Sequence, residues 1–186
     1  MKEQILGTGI YNISNHTNFI LEIPDNGKTK AFRANIQGTD LPDITNPATR
    51  MVIKEMGISD GNLPSANIEY GPFTTRILLD EEFTAYTDIY QWMISNANPN
   101  PGSNTLYDAN AELPYSMLHI LNNTKDKIVL TFVFDGLFPE SISGLEMNYT
   151  ENGHVLTTVN VSFQFKRLWI ERDGVVIAPN TYTDIK

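Results

Sequence analysis

The most constraining feature of this sequence is a strict alternation of residue types between Val155 and Lys166. Every second residue is apolar or Thr, in the order Val155, Thr157, Val159, Val161, Phe163 and Phe165. A period of two over these eleven residues is typical of a strand, because successive side chains of a strand point to opposite faces. Asn152-Gly153, just before the run, supplies the positive φ angles that a tight hairpin turn needs. The pattern predicts a strand with one buried face, entered from a hairpin.

Two further strands are predicted just before that hairpin. In the run from Ile128 to Phe134, one face is formed by Ile128, Leu130, Phe132 and Phe134, and the other by Val129, Thr131 and Val133. From Leu145 to Thr150, apolar or aromatic residues alternate with polar ones. With the run described above, they make Asp126–Trp169 a unit of three consecutive strands and their turns. We expect the rest of the domain to be built on this unit.

The other predicted strands lie in the first two thirds of the chain. Phe19–Ile23 and Ala31–Gln37 are predicted to pair as a hairpin across Pro24–Gly27, which again contains Asn-Gly. Phe73–Leu79 and Tyr115–Leu121 show the same kind of alternating, strand-forming residues. The chain therefore contains at least six strand-like runs.

The region Gly38–Pro72 is rich in Pro and Gly and is predicted to be an extended loop. It contains two candidates for short strands, Met51–Lys54 and Ile68–Tyr70. A loop of this length inside a compact domain is usually functional, although a surface insertion without a role gives the same pattern.

One helix is predicted, from Phe83 to Ile94. Asp80 is a suitable N-cap, and Glu81 and Glu82 suit the positive end of a helix dipole. The apolar stripe at helical spacing is Phe83, Tyr86, Ile89, Tyr90 and Met93. The stripe and Trp92 indicate core packing rather than a cofactor site. The predicted fold class is therefore α+β, a mainly antiparallel β barrel or sandwich with one principal α-helix.

Composition fits one compact domain. The chain has 186 residues, no cysteine and a formal net charge of -9, and its length is enough to bury a sizeable core. The lack of cysteine excludes disulfides and fits synthesis in a reducing cytoplasm. The acidic balance argues against gripping nucleic acid through Lys and Arg. We expect no membrane contact, because no apolar run approaches the ~20 residues of a membrane span and no secretion leader is recognised.

Catalytic and metal-binding motifs are missing from the sequence. His16, His119 and His154 lie in separate segments without the spacing of metal ligands. A calcium-loop-like start at Asp108 lacks the required glycine, because Leu113 occupies that position. No nucleophile elbow, phosphate-binding loop or zinc-protease motif occurs. We therefore expect a protein that is not an enzyme and that holds no cofactor and no metal.

The order of several motifs resembles one known family. The C-terminal motifs are Gly136-Leu137-Phe138-Pro139, Ile142, Gly144–Tyr149 and the long alternating strand that ends near Trp169. The N-terminal matches are Asn18–Ile23, Leu41-Pro42, Phe83 and Trp92. Together they resemble the tail tube proteins of contractile-tailed bacteriophages (myoviruses), a family that includes relatives initiating the tube at the baseplate. The resemblance runs from about Asn18 to Trp169.

This resemblance implies a structural virion protein. Six copies would form a ring whose strands join into a continuous barrel, and stacked rings would form a conduit for DNA during ejection. The implied partners are other copies of the chain, the tail sheath, the baseplate and the tape-measure protein. The protein would be assembled in the host bacterial cytoplasm and end in the virion tail. The resemblance fits the main tube, its baseplate-proximal start and other positions along the tail.

The resemblance also suggests a division of the chain. Residues 1–17 would be an N-terminal arm, 18–170 the tail-tube-like β domain and 171–186 a C-terminal tail. In the family, the loop corresponding to Gly38–Pro72 packs against the adjacent ring. The alternative from a different functional class is a β-sandwich binding module, such as a carbohydrate-binding domain, with no role in a tube.

If the chain is a tube subunit, the resemblance implies that the hairpin Leu145–Phe165 lines the channel. Its lumen-facing residues would be Glu146, Asn148, Thr158, Asn160, Ser162 and Gln164. The stretch Asp126–Phe165 holds five acidic residues and Lys127 as its only Lys or Arg. DNA would then meet neutral or negative groups and pass without specific binding. The same polar pattern also fits the ordinary solvent face of a sandwich.

Overall fold

Buried and less buried residues alternate along several strands, so each of these strands has one face in the core. The structure, a computed structural model, describes residues 17–25, 36–52, 60–97, 114–145, 147 and 156–178. The elements found in these ranges are β1 (Phe19–Glu22), β2 (Ile36–Asp40), β3 (Ile44–Thr45), β4 (Ala48–Val52), β5 (Asp60–Pro64), β6 (Glu69–Tyr70), β7 (Phe73–Leu78), α1 (Thr84–Ala97), β8 (Ser116–Leu121), β9 (Ile128–Asp135), β10 (Phe138–Ile142), β11 (Thr158–Gln164), β12 (Arg167–Arg172) and β13 (Val175–Val176).

The strands form two main sheets and two small ribbons. A five-stranded sheet has the order β1-β8-β9-β12-β13, and a four-stranded sheet has the order β10-β11-β7-β2. The ribbons pair β3 with β6 and β4 with β5. Every strand pair is antiparallel. The predicted α+β class, mainly antiparallel with one principal helix, is confirmed.

An aromatic cluster joins the two sheets and the helix. Phe134 of the five-stranded sheet lies against Phe73 of the four-stranded sheet, with ring centroids 4.7 Å apart. Phe163 lies 6.1 Å from Phe73 and 6.1 Å from Trp92 of α1. All four side chains are fully buried. Removing one such aromatic side chain from water is worth about 1.5–3 kcal/mol, so this cluster is a main source of stability.

Four predicted strands are confirmed, with ends that differ by one or two residues. They are β1, β7, β8 and β9, predicted as Phe19–Ile23, Phe73–Leu79, Tyr115–Leu121 and Ile128–Phe134. β7 shows the alternation most clearly, with Phe73, Thr75 and Ile77 buried at every second position, whereas β9 buries four successive residues, Thr131 to Phe134. The alternation follows from the period of two and needs no information from elsewhere in the chain.

The predicted hairpin between Phe19–Ile23 and Ala31–Gln37 is wrong. β1 pairs with β8 in the five-stranded sheet, whereas β2 pairs with β7 in the four-stranded sheet. Leu21 of β1 is buried in the core and the partly buried Ile36 of β2 packs against the same core from the other sheet, so the two strands lie in opposite layers instead of side by side. The observed strand also begins later than predicted, at Ile36, and residues 31–35 lie outside the described ranges.

The long alternating run is divided between the sheets. β11 ends at Gln164 and β12 begins at Arg167, so the chain crosses from one layer to the other at Phe165-Lys166. Gly136 makes the corresponding crossing between β9 and β10, with a φ of 64°. A Cβ at Gly136 would lie 3.1 Å from Cβ of Lys166, so both the backbone angle and the close approach favour glycine.

The strand predicted at Leu145–Thr150 is not found where it can be checked. Leu145 and Met147 are outside any strand, and the rest of that segment lies outside the described ranges, as does the turn Asn152-Gly153. The strand that precedes β11 in the chain and pairs with it is instead β10, which starts within the Gly-Leu-Phe-Pro motif. The predicted extended loop Gly38–Pro72 contains both ribbons. β4 overlaps the predicted strand Met51–Lys54 at its first two residues, the other two lying outside the described ranges, and β6 covers the last two residues of the predicted Ile68–Tyr70.

The helix is confirmed, but its buried face is rotated from the predicted stripe. Ile89 and Trp92 are the buried residues of α1, whereas Tyr90 is 54% exposed. The predicted cap is present: the backbone N–H of Thr84 donates to Oδ1 of Asp80 at 2.8 Å. Phe83, just before the helix, has a φ of 55° and so belongs to the turn that the cap closes.

The cap predicts a specific dependence of stability on pH. The Thr84 side chain, helped by the backbone of Thr84 and Ala85, lowers the pKa of Asp80. A lowered folded-state pKa gives stability that is complete above the unfolded-state pKa and is lost as the pH falls through the folded-state value. We therefore expect Asp80→Asn to be less stable than the parent near neutral pH, with the difference closing in acid. Chemical denaturation across the acidic range measures it.

Glu81→Gln is the matched control for the cap, because it removes an exposed acid one residue along. We expect its stability to follow that of the parent more closely than the stability of Asp80→Asn does. A difference between Asp80→Asn and the parent that stays constant down to strongly acidic pH would contradict the role of the charged cap.

The five-stranded sheet continues beyond the predicted end of the β domain at residue 170. β12 runs to Arg172, and the hairpin with β13 extends the sheet to Val176. Residues 1–16 lie outside the described ranges, as do 179–186. The arm and the tail as separate units stay predictions.

Candidate functional site

The predicted lumen residues of β11 share one face of the four-stranded sheet. β11 lies between β10 and β7, with Val159, Val161 and Phe163 buried in the core. The alternate residues point the other way: Asn160 is exposed, and Thr158, Ser162 and Gln164 are half-buried. Glu146 and Asn148, the remaining predicted members, lie outside the described ranges.

Strand register identifies the neighbours of these residues. Asn160 lies opposite Arg76 and Ser162 opposite Thr74 on β7, while Ser162 also faces Ser141 on β10. Asp40 of β2 is opposite Thr74. We call this outer surface the polar face, and its members are Asp40, Thr74, Arg76, Glu140, Ser141, Thr158, Asn160, Ser162 and Gln164.

Hydrogen bonds between strands fix the two amide side chains of the polar face. Nε of Arg76 donates to Oδ1 of Asn160 at 3.3 Å. Nε2 of Gln164 donates to Oε2 of Glu140 at 3.0 Å. The backbone N–H of Asn160 also donates to Oγ of Ser143 at 3.0 Å. Asn160 and Gln164 are therefore each oriented by a charged neighbour on the adjacent strand.

The charges of the polar face differ from those expected from the stretch Asp126–Phe165. Lys127 pairs with Asp173 at 2.8 Å beside the five-stranded sheet. Asp135 belongs to β9 of that sheet, so its charge is not on the polar face. Of the acids in that stretch whose position is described, Glu140 alone lies on the polar face.

Sequence reasoning missed the contributions of β2 and β7, namely Asp40 and Arg76. The signal for Arg76 was present, since it lies one residue from Thr75 and Ile77, which are buried in the same strand. Its position on the outer face follows from alternation alone. What was missing was the pairing that sets β7 beside β11.

No cluster of three or more His, Cys, Asp or Glu side chains suited to a metal ion is found within the described ranges. His119 lies in β8, with Nδ1 3.0 Å from Oγ1 of Thr131 and Nε2 3.6 Å from Oε2 of Glu22. These contacts hold His119 against the neighbouring strands β9 and β1 of the sheet. His16 and His154 are outside the described residues.

No helix within the described ranges is long and apolar enough to cross a membrane.

The two edges of the four-stranded sheet differ in direction. The described residues provide no partner for the outer edge of β10 or of β2. Four antiparallel strands alternate in direction, so β10 and β2 run in opposite directions. In the five-stranded sheet, the odd number of strands makes the edge strands β1 and β13 run in the same direction. These directions limit how copies of each sheet can join.

A cavity of about 680 Å³ opens between the β1 edge of one sheet and the β2 edge of the other. Its wall includes apolar side chains of the five-stranded sheet, among them Leu118 and Phe132, and its rim includes Arg76 and Asp40. Oγ1 of Thr75, on the same wall, is buried and finds no hydrogen-bond partner among the described residues.

Comparisons with known proteins agree with the resemblance in the sequence. Residues 13–171 match the family described as phage tail tube protein. The chain is 32% identical over 169 residues to the tail tube terminator protein of Enterobacteria phage T4, covering 91% of this chain and 95% of that protein.

Two solved structures share the fold. One is the tube terminating cap of the anti-feeding prophage, with a TM-score of 0.62, 13% identity and coverage of 88% of this chain and 94% of that chain. The other comes from the baseplate of the same particle, with a TM-score of 0.64, 8% identity and coverage of 87% and 97%. At these identities, the two likenesses establish the fold alone.

Proposed function

The chain belongs to the phage tail tube protein family, and from that membership we propose that six copies form the ring that ends a contractile tail tube. It is a structural component of the virion tail and not an enzyme, as predicted. Membership in this family also removes the basis for the carbohydrate-binding alternative.

The position at the end of the tube is supported by the similarity to the T4 tail tube terminator protein over nearly the whole of both chains. The baseplate likeness is a likeness of fold and does not favour a baseplate-proximal start. We place the ring at the end of the tube away from the baseplate. There its partners are the last ring of the tube, the sheath and the tape-measure protein.

The single observation that carries the ring is the even number of strands, four, that the described residues contribute to the sheet of β10, β11, β7 and β2. A rotation about a ring axis keeps every strand's direction along that axis. The β2 of one copy would therefore meet the β10 of the next in antiparallel orientation, which continues the hydrogen-bonding pattern within each copy. Closing the five-stranded sheet would instead require a parallel pair. Ring closure through β2 and β10 also covers the edges that a lone sheet leaves unpaired.

Closure through this sheet determines what faces the bore. One face of the sheet is buried in each subunit's core, so the polar face is left to line the lumen. Thr158, Asn160, Ser162 and Gln164 are then lumen residues, and Glu146 and Asn148 join them in the proposal. Hydroxyls and amides keep such a wall hydrated, and DNA slides past it without recognition of its bases.

Counting copies per virion tests this function. A ring at the tube's end predicts six copies in each virion, measured by quantitative mass spectrometry against a head protein of known copy number. A gold label on the C-terminus should mark the tail end opposite the baseplate. A copy number many times six would identify a main tube protein. Gold label at the baseplate would identify a tube initiator. Either result would overturn the terminator proposal.

A further inference from the structure

Arg76 is the one basic side chain on the polar face as far as the structure describes it. It lies in β7, between β11 and the edge strand β2, and is exposed. Its Nε–H donates to Asn160, which leaves the two terminal nitrogens of the guanidinium directed away from that bond. The sequence predicts a lumen lined only by neutral or negative residues. Arg76 would instead place a positive charge at one level of the lumen wall.

Among the described residues, no carboxylate forms an ion pair with the Arg76 guanidinium. Arg76 takes part in neither ion pair found between described side chains, which are Lys127–Asp173 and His119–Glu22. Glu140 lies on the same polar face but in the edge strand β10, and it accepts a hydrogen bond from Gln164. Asp40 lies opposite Thr74, two residues along β7 from Arg76. The positive charge is thus available to a ligand in front of the polar face.

We propose that Arg76 binds the phosphate backbone of DNA in the bore, an inference that rests on the ring proposed above. Sixfold symmetry would place six guanidinium groups at a single level of the lumen. Arginine presents a planar fork of N–H donors that fits phosphate oxygens, and each contact releases counterions from the DNA. The contact is with the backbone, so it is independent of base sequence.

The surroundings of Arg76 favour DNA over an acidic protein segment. On the polar face itself, Thr74, Asn160 and Ser162 around Arg76 offer hydroxyl and amide groups. The apolar walls of the cavity that Arg76 also borders, such as Leu118 and Phe132, belong to the five-stranded sheet and not to the polar face. Tight protein recognition depends on apolar anchors, which the neighbours of Arg76 on the polar face do not offer. Double-stranded DNA instead carries phosphates on all sides, and every subunit of a ring can meet one. A ring of arginines in a wall whose other described charged residues, Asp40 and Glu140, are acidic acts as a brake on the polymer at one point.

The test compares DNA ejection from virions that carry Arg76→Gln, Arg76→Lys or the parental residue. Loss of the charge should make ejection several-fold faster at low salt, while Arg76→Lys should stay close to the parent. The difference should shrink as salt rises from about 50 mM to about 200 mM, because phosphate contacts weaken with salt. Arg167→Gln is the matched control, since it removes an exposed arginine from the five-stranded sheet and should leave ejection unchanged.

The number of copies per virion and the yield of assembled tails distinguish the possible results of this experiment. Parental ejection from Arg76→Gln virions with six copies confirmed would overturn the DNA contact while leaving the ring intact. Reduced assembly of Arg76→Gln tails made without heads, and therefore without DNA, would overturn it in favour of a protein ligand. A copy number other than six in the parent would refute the ring itself and the inference with it.

Discussion

Replacing Phe163 by Ala should lower the free energy of unfolding by about 3–5 kcal/mol, as expected for a fully buried aromatic residue. Phe163 is 0% exposed and contacts both Phe73 and Trp92, so it joins β11 to β7 and to the helix. The cavity left by its ring has rigid walls in two elements and cannot collapse easily. Urea denaturation followed by tryptophan fluorescence measures the loss.

Phe138→Ala is the matched control for this prediction. Phe138 lies opposite Gln164 on the neighbouring strand and is 38% exposed, so the same truncation removes less buried surface. We expect its cost to be well under half that of Phe163→Ala. Equal losses would mean that the assignment of core and outer faces in β11 is wrong, and the lumen assignment would fail with it.

Gln37→Pro should abolish ring formation while the domain stays folded. Gln37 lies at a register shift in β2, between the paired residues Ile36 and Gly38, and has no Cα partner on β7. A proline there leaves the Cα pairs between β2 and β7 unchanged but removes a backbone donor and adds a ring at the sheet edge. The expected result is a monomer by analytical ultracentrifugation, with the circular dichroism spectrum of the parent.

Gln37→Ala separates the backbone effect from loss of the side chain. Alanine keeps the N–H group, so we expect this variant to assemble rings as the parent does. Assembly of Gln37→Pro to the same extent as Gln37→Ala would show that the β2 edge is not an interface. A Gln37→Pro protein without the parental spectrum would point to a fold that depends on this residue within the subunit.

The faces of individual strands were predictable from the sequence, whereas their partners were not. Alternation in β11 fixes which side chains share the core with Val161, because that rule concerns successive residues only. The false hairpin between β1 and β2 arose from a local turn signal at Asn26-Gly27. Pairing is decided by the burial of both apolar faces in one core, and this involves β7 and β8, which are distant in sequence.

The same distinction explains the two errors at the candidate site and the helix. Arg76 was missed because charge was summed along Asp126–Phe165, whereas a sheet face draws residues from strands far apart in the chain. In the helix, Tyr90 and Trp92 both fit apolar positions at near-helical spacing. Contact with Phe163 buries Trp92 and leaves Tyr90 exposed, and this contact is tertiary.

Cryo-electron microscopy of the assembled protein tests the central claim most directly. The account predicts a sixfold ring in which β2 of each copy forms antiparallel hydrogen bonds with β10 of the next. Thr158, Asn160, Ser162 and Gln164 should line the bore, with Arg76 at one level among them. A ring of another symmetry, or one whose bore is lined by the five-stranded sheet, would contradict it.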